Sequence, residues 1–138
     1  MHKIHFSSNW NGKLCNDVFT TIRLYNYDKY PDFEKFTIEY KSHILGIAEL
    51  LVKKPFKFSS LNATTSLVDC GHDEHYLGKL LRNFYPGITA ETNFYMLVLR
   101  WETRYKEATE LIFKERFEKI ESGWMEQHSD LQTEINFE

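Results

Sequence analysis

The residues best suited to chemistry lie in one short stretch, Val18-Phe19-Thr20-Thr21-Ile22-Arg23-Leu24-Tyr25. Read as a strand, it turns Phe19, Thr21, Arg23 and Tyr25 to one face and Val18, Thr20, Ile22 and Leu24 to the other. The second face is mostly apolar. The first carries a hydroxyl and a guanidinium fork between two aromatic rings. An ordinary half-buried strand turns such groups to water, but the same set also makes a site for a phosphate, a carboxylate or a nucleobase. Trp10, on the polar segment before the strand, is a further ring on which a base could stack. A second cluster, Asp69-Cys70-Gly71-His72-Asp73-Glu74-His75, contains zinc-type ligands in Cys70, His72 and His75. No second Cys/His pair follows it, so the expectation is a solvated helix start with a half-buried thiol and no metal. The chain has no phosphate-binding Gly-Lys loop, dinucleotide fingerprint or nucleophile elbow.

These residues need elements to position them. Lys3-Ile4-His5-Phe6 reads as a short strand, and the Asn11-Gly12 turn signal places Trp10 and Lys13 on a loop leading into residues 19–23, expected as the organising strand. Phe36, Ile38 and Tyr40 alternate with Thr37, Glu39 and Lys41, the mark of a half-buried strand. Residues 44–52 are mostly apolar and pair with it as a hairpin, and Gly46 marks a bulge or a close backbone approach. Residues 53–58 then form an edge segment, restricted by Pro55 and protected by Lys53, Lys54 and Lys57. A short helical turn ends before Gly71. From about His72 to Tyr85 a helix carries Leu77, Leu80, Leu81 and Phe84 on one stripe, with acids at its start and Pro86-Gly87 as its stop. Residues 93–101 are apolar on both faces, as in a strand covered from both sides. Beyond Glu102 the period becomes helical, and Phe113, Phe117, Ile120 and Trp124 form a stripe that must bury against the body or against a second copy. Leu131 and Ile135 lie in a polar tail expected to dock weakly or fray.

The 138 residues fit one globular unit with a sizeable core. An aromatic share of 16% is high and favours strands. The net charge of −3 opposes strong non-specific binding to nucleic acid, but it is unevenly spread. Residues 1–100 carry 12 Lys and Arg against 10 Asp and Glu, while residues 101–138 carry 5 against 10. A mildly basic body is compatible with a nucleotide ligand. No apolar run is long enough to span a membrane, and the start at Met1 lacks a secretory apolar core, so a cytoplasmic protein is expected. Cys15 and Cys70, far apart and without metal-type pairing, fit free thiols in a reducing compartment.

The order of elements, with Thr20-Thr21-Ile22-Arg23 and the run Leu77-Gly78-Lys79-Leu80-Leu81-Arg82-Asn83-Phe84-Tyr85-Pro86-Gly87 before Phe94-Tyr95-Met96-Leu97-Val98-Leu99, resembles the ASCH domain, a branch of the PUA-like superfamily. The likeness covers about residues 1–102. It implies an α+β fold: a PUA-like (ASCH) β-barrel with flanking helices over residues 1–103. Residues 104–138 are then an added C-terminal amphipathic helix, packed on the domain or on a partner.

Function follows from the resemblance in two forms. PUA-like barrels generally bind RNA or modified bases, which implies an RNA- or nucleotide-binding module without a cofactor. Its cleft would lie beside Thr21 and Arg23, with Phe19, Tyr25 or Trp10 stacking on the ligand. The helix and last strand are also similar to those of small bacterial ASCH proteins that hydrolyse N4-acetylcytidine. In that group a Lys stands three residues before the strand Thr, and a Glu precedes the helix. Here Thr21 matches the Thr, Val18 occupies the Lys position and the Glu position falls near Asp69 and Cys70. An amidohydrolase or ribonuclease would therefore depend on Thr21 with Asp69 and on Lys13 reaching in from its loop. The substitution by Val18 makes the binding module the preferred expectation.

Overall fold

The computed structural model describes residues 2–121. Five strands, β1 (His2–Phe6), β2 (Val18–Leu24), β3 (Lys35–Tyr40), β4 (His43–Lys57) and β5 (Asn93–Arg104), form one mixed sheet in the order β1-β3-β4-β5-β2. Only the β1–β3 pair is parallel; β3–β4, β4–β5 and β2–β5 are antiparallel. The sheet curls into a half-barrel flanked by α1 (Ala63–Cys70), α2 (Glu74–Phe84) and α3 (Lys106–Glu121), giving an α+β, barrel-like fold. No helix among the described residues is long and apolar enough to cross a membrane.

The longest strands occupy the middle of the sheet, and the stretch at residues 18–24 lies at its edge. That corrects the expectation of an organising strand there: β4 and β5 are the spine, and β2 pairs with β5 alone. The lysine-rich segment is not a separate edge either, because β4 continues through it to Lys57, with Pro55 opposite Tyr95. Pairing with β3 ends at Lys35–Glu49, so Pro55 lies where β4 has a strand on one side only. A residue without an N–H is tolerated there. Gly46, with φ +152°, passes so close to the backbone of Thr103 that a Cβ would collide with its carbonyl oxygen. The ladder registers shift on either side of it, as expected for a bulge.

Curling makes two cores. Ile4, Phe6, Phe19, Phe36, Ile38, Tyr40, Leu45, Leu50, Tyr95, Leu97 and Leu99 meet inside the curl, while Ile22 and Phe94 face outward under Leu77, Leu80 and Leu81 of α2. This explains why β5 is apolar on both faces: alternate residues feed different cores. Both helices of that outer layer have local start signals. Asn62 accepts the Thr65 N–H ahead of α1, Asp73 accepts the Tyr76 N–H ahead of α2, and Gly71 ends α1 in the left-handed conformation at φ +80°. Asp73→Ala should lower stability by about 1 kcal/mol, the usual cost of a lost N-cap. A urea melt checks this: the midpoint falls while its slope is unchanged.

The segment expected as a loop around Trp10 is a 3₁₀ helix, Trp10–Cys15. The side chain of Asn9 accepts the Leu14 N–H at 2.8 Å, and Gly12 takes φ +63°. At the other end Trp101 Nε1 and Arg104 Nη1 donate to the Leu14 carbonyl, and Arg104 also donates to that of Cys15. The helix is thus fixed by side chains remote in sequence, which local turn propensity does not reveal.

The last helix packs on the body through a different row from the expected one. Ala108 and Ile112 are buried in the inner core, whereas Phe113 and Phe117 are 43% and 61% exposed. Apolar rows one residue apart are ambiguous by periodicity, and the small Ala108 allows the closer approach. Trp124, Leu131 and Ile135 lie outside the described residues.

Candidate functional site

The two edges of the curled sheet, β1 and β2, come together at a seam. Phe6 and Phe19 pack edge to face across it at 5.9 Å, and Arg23 Nη2 donates to the His5 carbonyl at 2.6 Å. Beside the seam opens a cavity of about 310 Å³, at the small end of typical ligand pockets. One wall is the seam itself, with Phe6, Thr21, Ile22 and Arg23. The opposite wall is α2 and its end, with Leu77, Leu80, Leu81, Phe84 and Tyr85. Trp10 and Lys13 of the 3₁₀ helix, with Asp69 and Cys70 of α1, close the remaining side.

Polar groups in this cavity form two sets. In the first, Lys13 and Asp69, each only 5% exposed, form an ion pair with Nζ 3.0 Å from Oδ1. Thr20 Oγ1 donates to the same carboxylate oxygen at 2.8 Å. A buried pair of this kind persists only with close geometry and additional hydrogen bonds, and here the hydroxyl supplies one. In the second, Arg23 Nε donates to Thr21 Oγ1 at 3.0 Å, leaving the Thr21 hydroxyl hydrogen able to donate into the cavity. The Arg23 guanidinium lies over the Phe6 ring at 5.0 Å, and the Lys13 ammonium is 5.7 Å from the same ring. That ring favours both cations and holds them near the seam.

Of the residues singled out from sequence, Thr21, Arg23, Trp10, Lys13 and Asp69 line this one cavity. Lys13 reaches it because the 3₁₀ helix, rather than a loop, directs it inward. Trp10 is buried edge-to-face against Tyr76 at 6.5 Å and serves as a wall. Phe19 and Tyr25 are placed elsewhere. Phe19 is an inner-core residue against Phe6 and Trp101, and Tyr25 stacks on Tyr95 at 4.5 Å away from the cavity wall. Val18 is half exposed, opposite Arg100 in the ladder.

The structure adds Thr20 as the hydroxyl that Asp69 accepts, and Ser7, Ser8, Phe84 and Tyr85 as lining. The stripe of α2 was visible in the sequence, but that it covers a cavity as well as a core was not.

Burial pushes the thiol of Cys70 upward, and its sulfur lies 3.8 Å from Ser66 Oγ. The His72 ring lies against Tyr76 at 4.1 Å. Among the described residues no cluster of three His, Cys, Asp or Glu side chains is arranged to hold a metal ion. Burial also raises the Tyr85 and Tyr30 phenols, and the positive charge of Arg23 opposes the rise at both. Both phenols are therefore neutral hydrogen-bonding groups near the guanidinium at physiological pH. Two of the three lysines in the later part of β4 have local partners: Lys53 donates to the Tyr30 carbonyl at 2.8 Å and lies over Tyr27, and Lys57 pairs with Glu91.

No protein-family model matches the chain, and no curated protein matches it in a sequence comparison.

Proposed function

We propose that this cavity binds a single nucleobase, presented as a free nucleoside or nucleotide or as one residue of an RNA, within an ASCH-like barrel of PUA type. The observation that carries this reading is the meeting, in one small cavity, of the Thr21–Arg23 and Lys13–Asp69 sets opposite an apolar wall of leucine and aromatic side chains. A planar heterocycle matches such a site. Its faces replace water against Leu80, Leu81, Phe84 and Tyr85, and its polar edge meets a hydroxyl donor and a buried ion pair. The curled mixed sheet with flanking helices is compatible with a PUA-like barrel. The resemblance of the Thr-Thr-Ile-Arg strand and of the Tyr-Pro-Gly helix end supports the narrower ASCH assignment.

A second reading has its own support. Lys13 and Asp69 stand together beside the seam, which gives an ASCH-type amidohydrolase an amine and a carboxylate although Val18 occupies the family's Lys position. Against it, a Thr nucleophile needs a base within hydrogen-bond reach. The partner of Thr21 is a guanidinium, which donates, and the hydroxyl bonded to Asp69 is that of Thr20. The geometry thus favours holding a ligand over cleaving one.

Titration of the four common ribonucleosides, followed by amide chemical shifts, tests the binding reading. Shifts concentrated on residues lining the cavity are expected, together with roughly 3–10-fold weaker binding in Thr21→Val, the loss usual for one hydrogen bond. If neither nucleosides nor short single-stranded RNAs shift these residues, the reading fails. Incubation with N4-acetylcytidine tests the second reading, and release of acetate sensitive to Lys13→Met would reverse the order of the two.

A further inference from the structure

Arg23 is the charge in this cavity that has no counter-charge. Lys13 is neutralised by Asp69, but the Arg23 guanidinium donates only to neutral oxygens, the Thr21 hydroxyl and the His5 carbonyl. No carboxylate among the described residues pairs with it. The group is also half-buried and held in place, with one face on Phe6 and two of its nitrogens already bonded. Removing a cation from water without an anion is unfavourable, and the planar guanidinium fork matches the geometry of a phosphate. The remaining N–H groups of a fixed guanidinium suit the oxygens of a phosphate, to which charge-assisted, bidentate bonds are short and strong. Immediately after the strand whose carbonyl anchors Arg23, Ser7 and Ser8 line the same cavity.

We propose that the occupant is a nucleoside 5′-monophosphate or the 5′-phosphorylated end of an RNA, with its phosphate on Arg23 beside Ser7 and Ser8 and its base against the α2 wall. The inference rests on the nucleobase reading of the cavity and adds the anion. It divides the labour within the site: the Lys13–Asp69 pair, without net charge, faces the base, and Arg23 faces the phosphate. A nucleoside would then fill the cavity but leave the guanidinium unmatched.

Calorimetric titration of the full chain with each ribonucleoside and its 5′-monophosphate, at low and at 0.5 M salt, tests this. The monophosphate should bind about tenfold or more tightly than its nucleoside at low salt, and the preference should shrink at high salt as screening grows. In Arg23→Gln the ratio of monophosphate to nucleoside affinity should fall to about one, and an amide spectrum that keeps the wild-type dispersion shows the variant to be folded. A preference that survives Arg23→Gln, or equal affinity of the two probes in the wild type, overturns the anion assignment while leaving the nucleobase reading intact. Failure of every probe to bind overturns both. A pentanucleotide with a 5′-phosphate, compared with one ending in a 5′-hydroxyl, separates the two sources. A preference confined to the free monophosphate identifies a small-molecule site, and one shared by the oligonucleotide identifies a strand end.

Discussion

Lys13→Met should lower the unfolding free energy by about 3–5 kcal/mol, the range for removing one partner of a buried ion pair. The size follows from what remains. Among the described residues Asp69, 5% exposed, then keeps only the Thr20 hydroxyl as a partner for a carboxylate largely removed from water. The ammonium, when present, is both the counter-charge and a hydrogen-bond donor at 3.0 Å. The double variant Lys13→Met/Asp69→Leu should recover most of the loss, because replacing both partners removes the stranded charge along with the pair. Urea unfolding of the wild type, both single variants and the double variant yields the coupling energy directly. Additive losses would mean that the pair contributes nothing as a pair. The same cycle bears on function. If the pair serves the base-binding end of the cavity, the double variant regains stability without regaining affinity for nucleosides.

Ile112→Ala should cost about 3–4 kcal/mol, within the usual range for truncating a buried aliphatic side chain. Ile112 is fully buried in the inner core with Leu14, Leu45 and Ala108. Its surroundings are anchored by Tyr40 Oη, which donates to Glu115 at 2.7 Å, and by the ladder of β4. Such neighbours relax poorly into a cavity, which places the cost in the upper part of the range. Phe117→Ala, at a larger apolar residue on the same helix, should change stability by no more than about 0.5 kcal/mol, because Phe117 is largely exposed. Thermal unfolding of the two variants distinguishes the rows. A large loss for Phe117 and a small one for Ile112 would restore the stripe expected from periodicity.

The features legible from residue order alone are local. Alternation of Phe36, Ile38 and Tyr40 specifies a one-sided strand, Asp73 and Gly71 mark helix ends, and the leucines of α2 mark a buried stripe, because each of these rests on neighbours within a few residues. The chemistry of Thr21 and Arg23 was also legible, since a hydroxyl and a guanidinium two apart on a strand must share a face. Which strand is central was not, because rank in a sheet is set by pairing between distant segments.

The site shows the same division. Lys13 and Asp69 are 56 residues apart, and nothing near either names the other. They meet because the 3₁₀ helix is clamped by Trp101 and Arg104 from β5 while α1 lies against it. The sequence supplied a Thr–Arg face that could hold an anion. Only the packing of β1 against β2 and of α2 across their seam gave that face an opposite wall, with no carboxylate among the described residues paired to Arg23. Burial of a charge depends on the whole fold, whereas the capacity to carry one belongs to the residue alone.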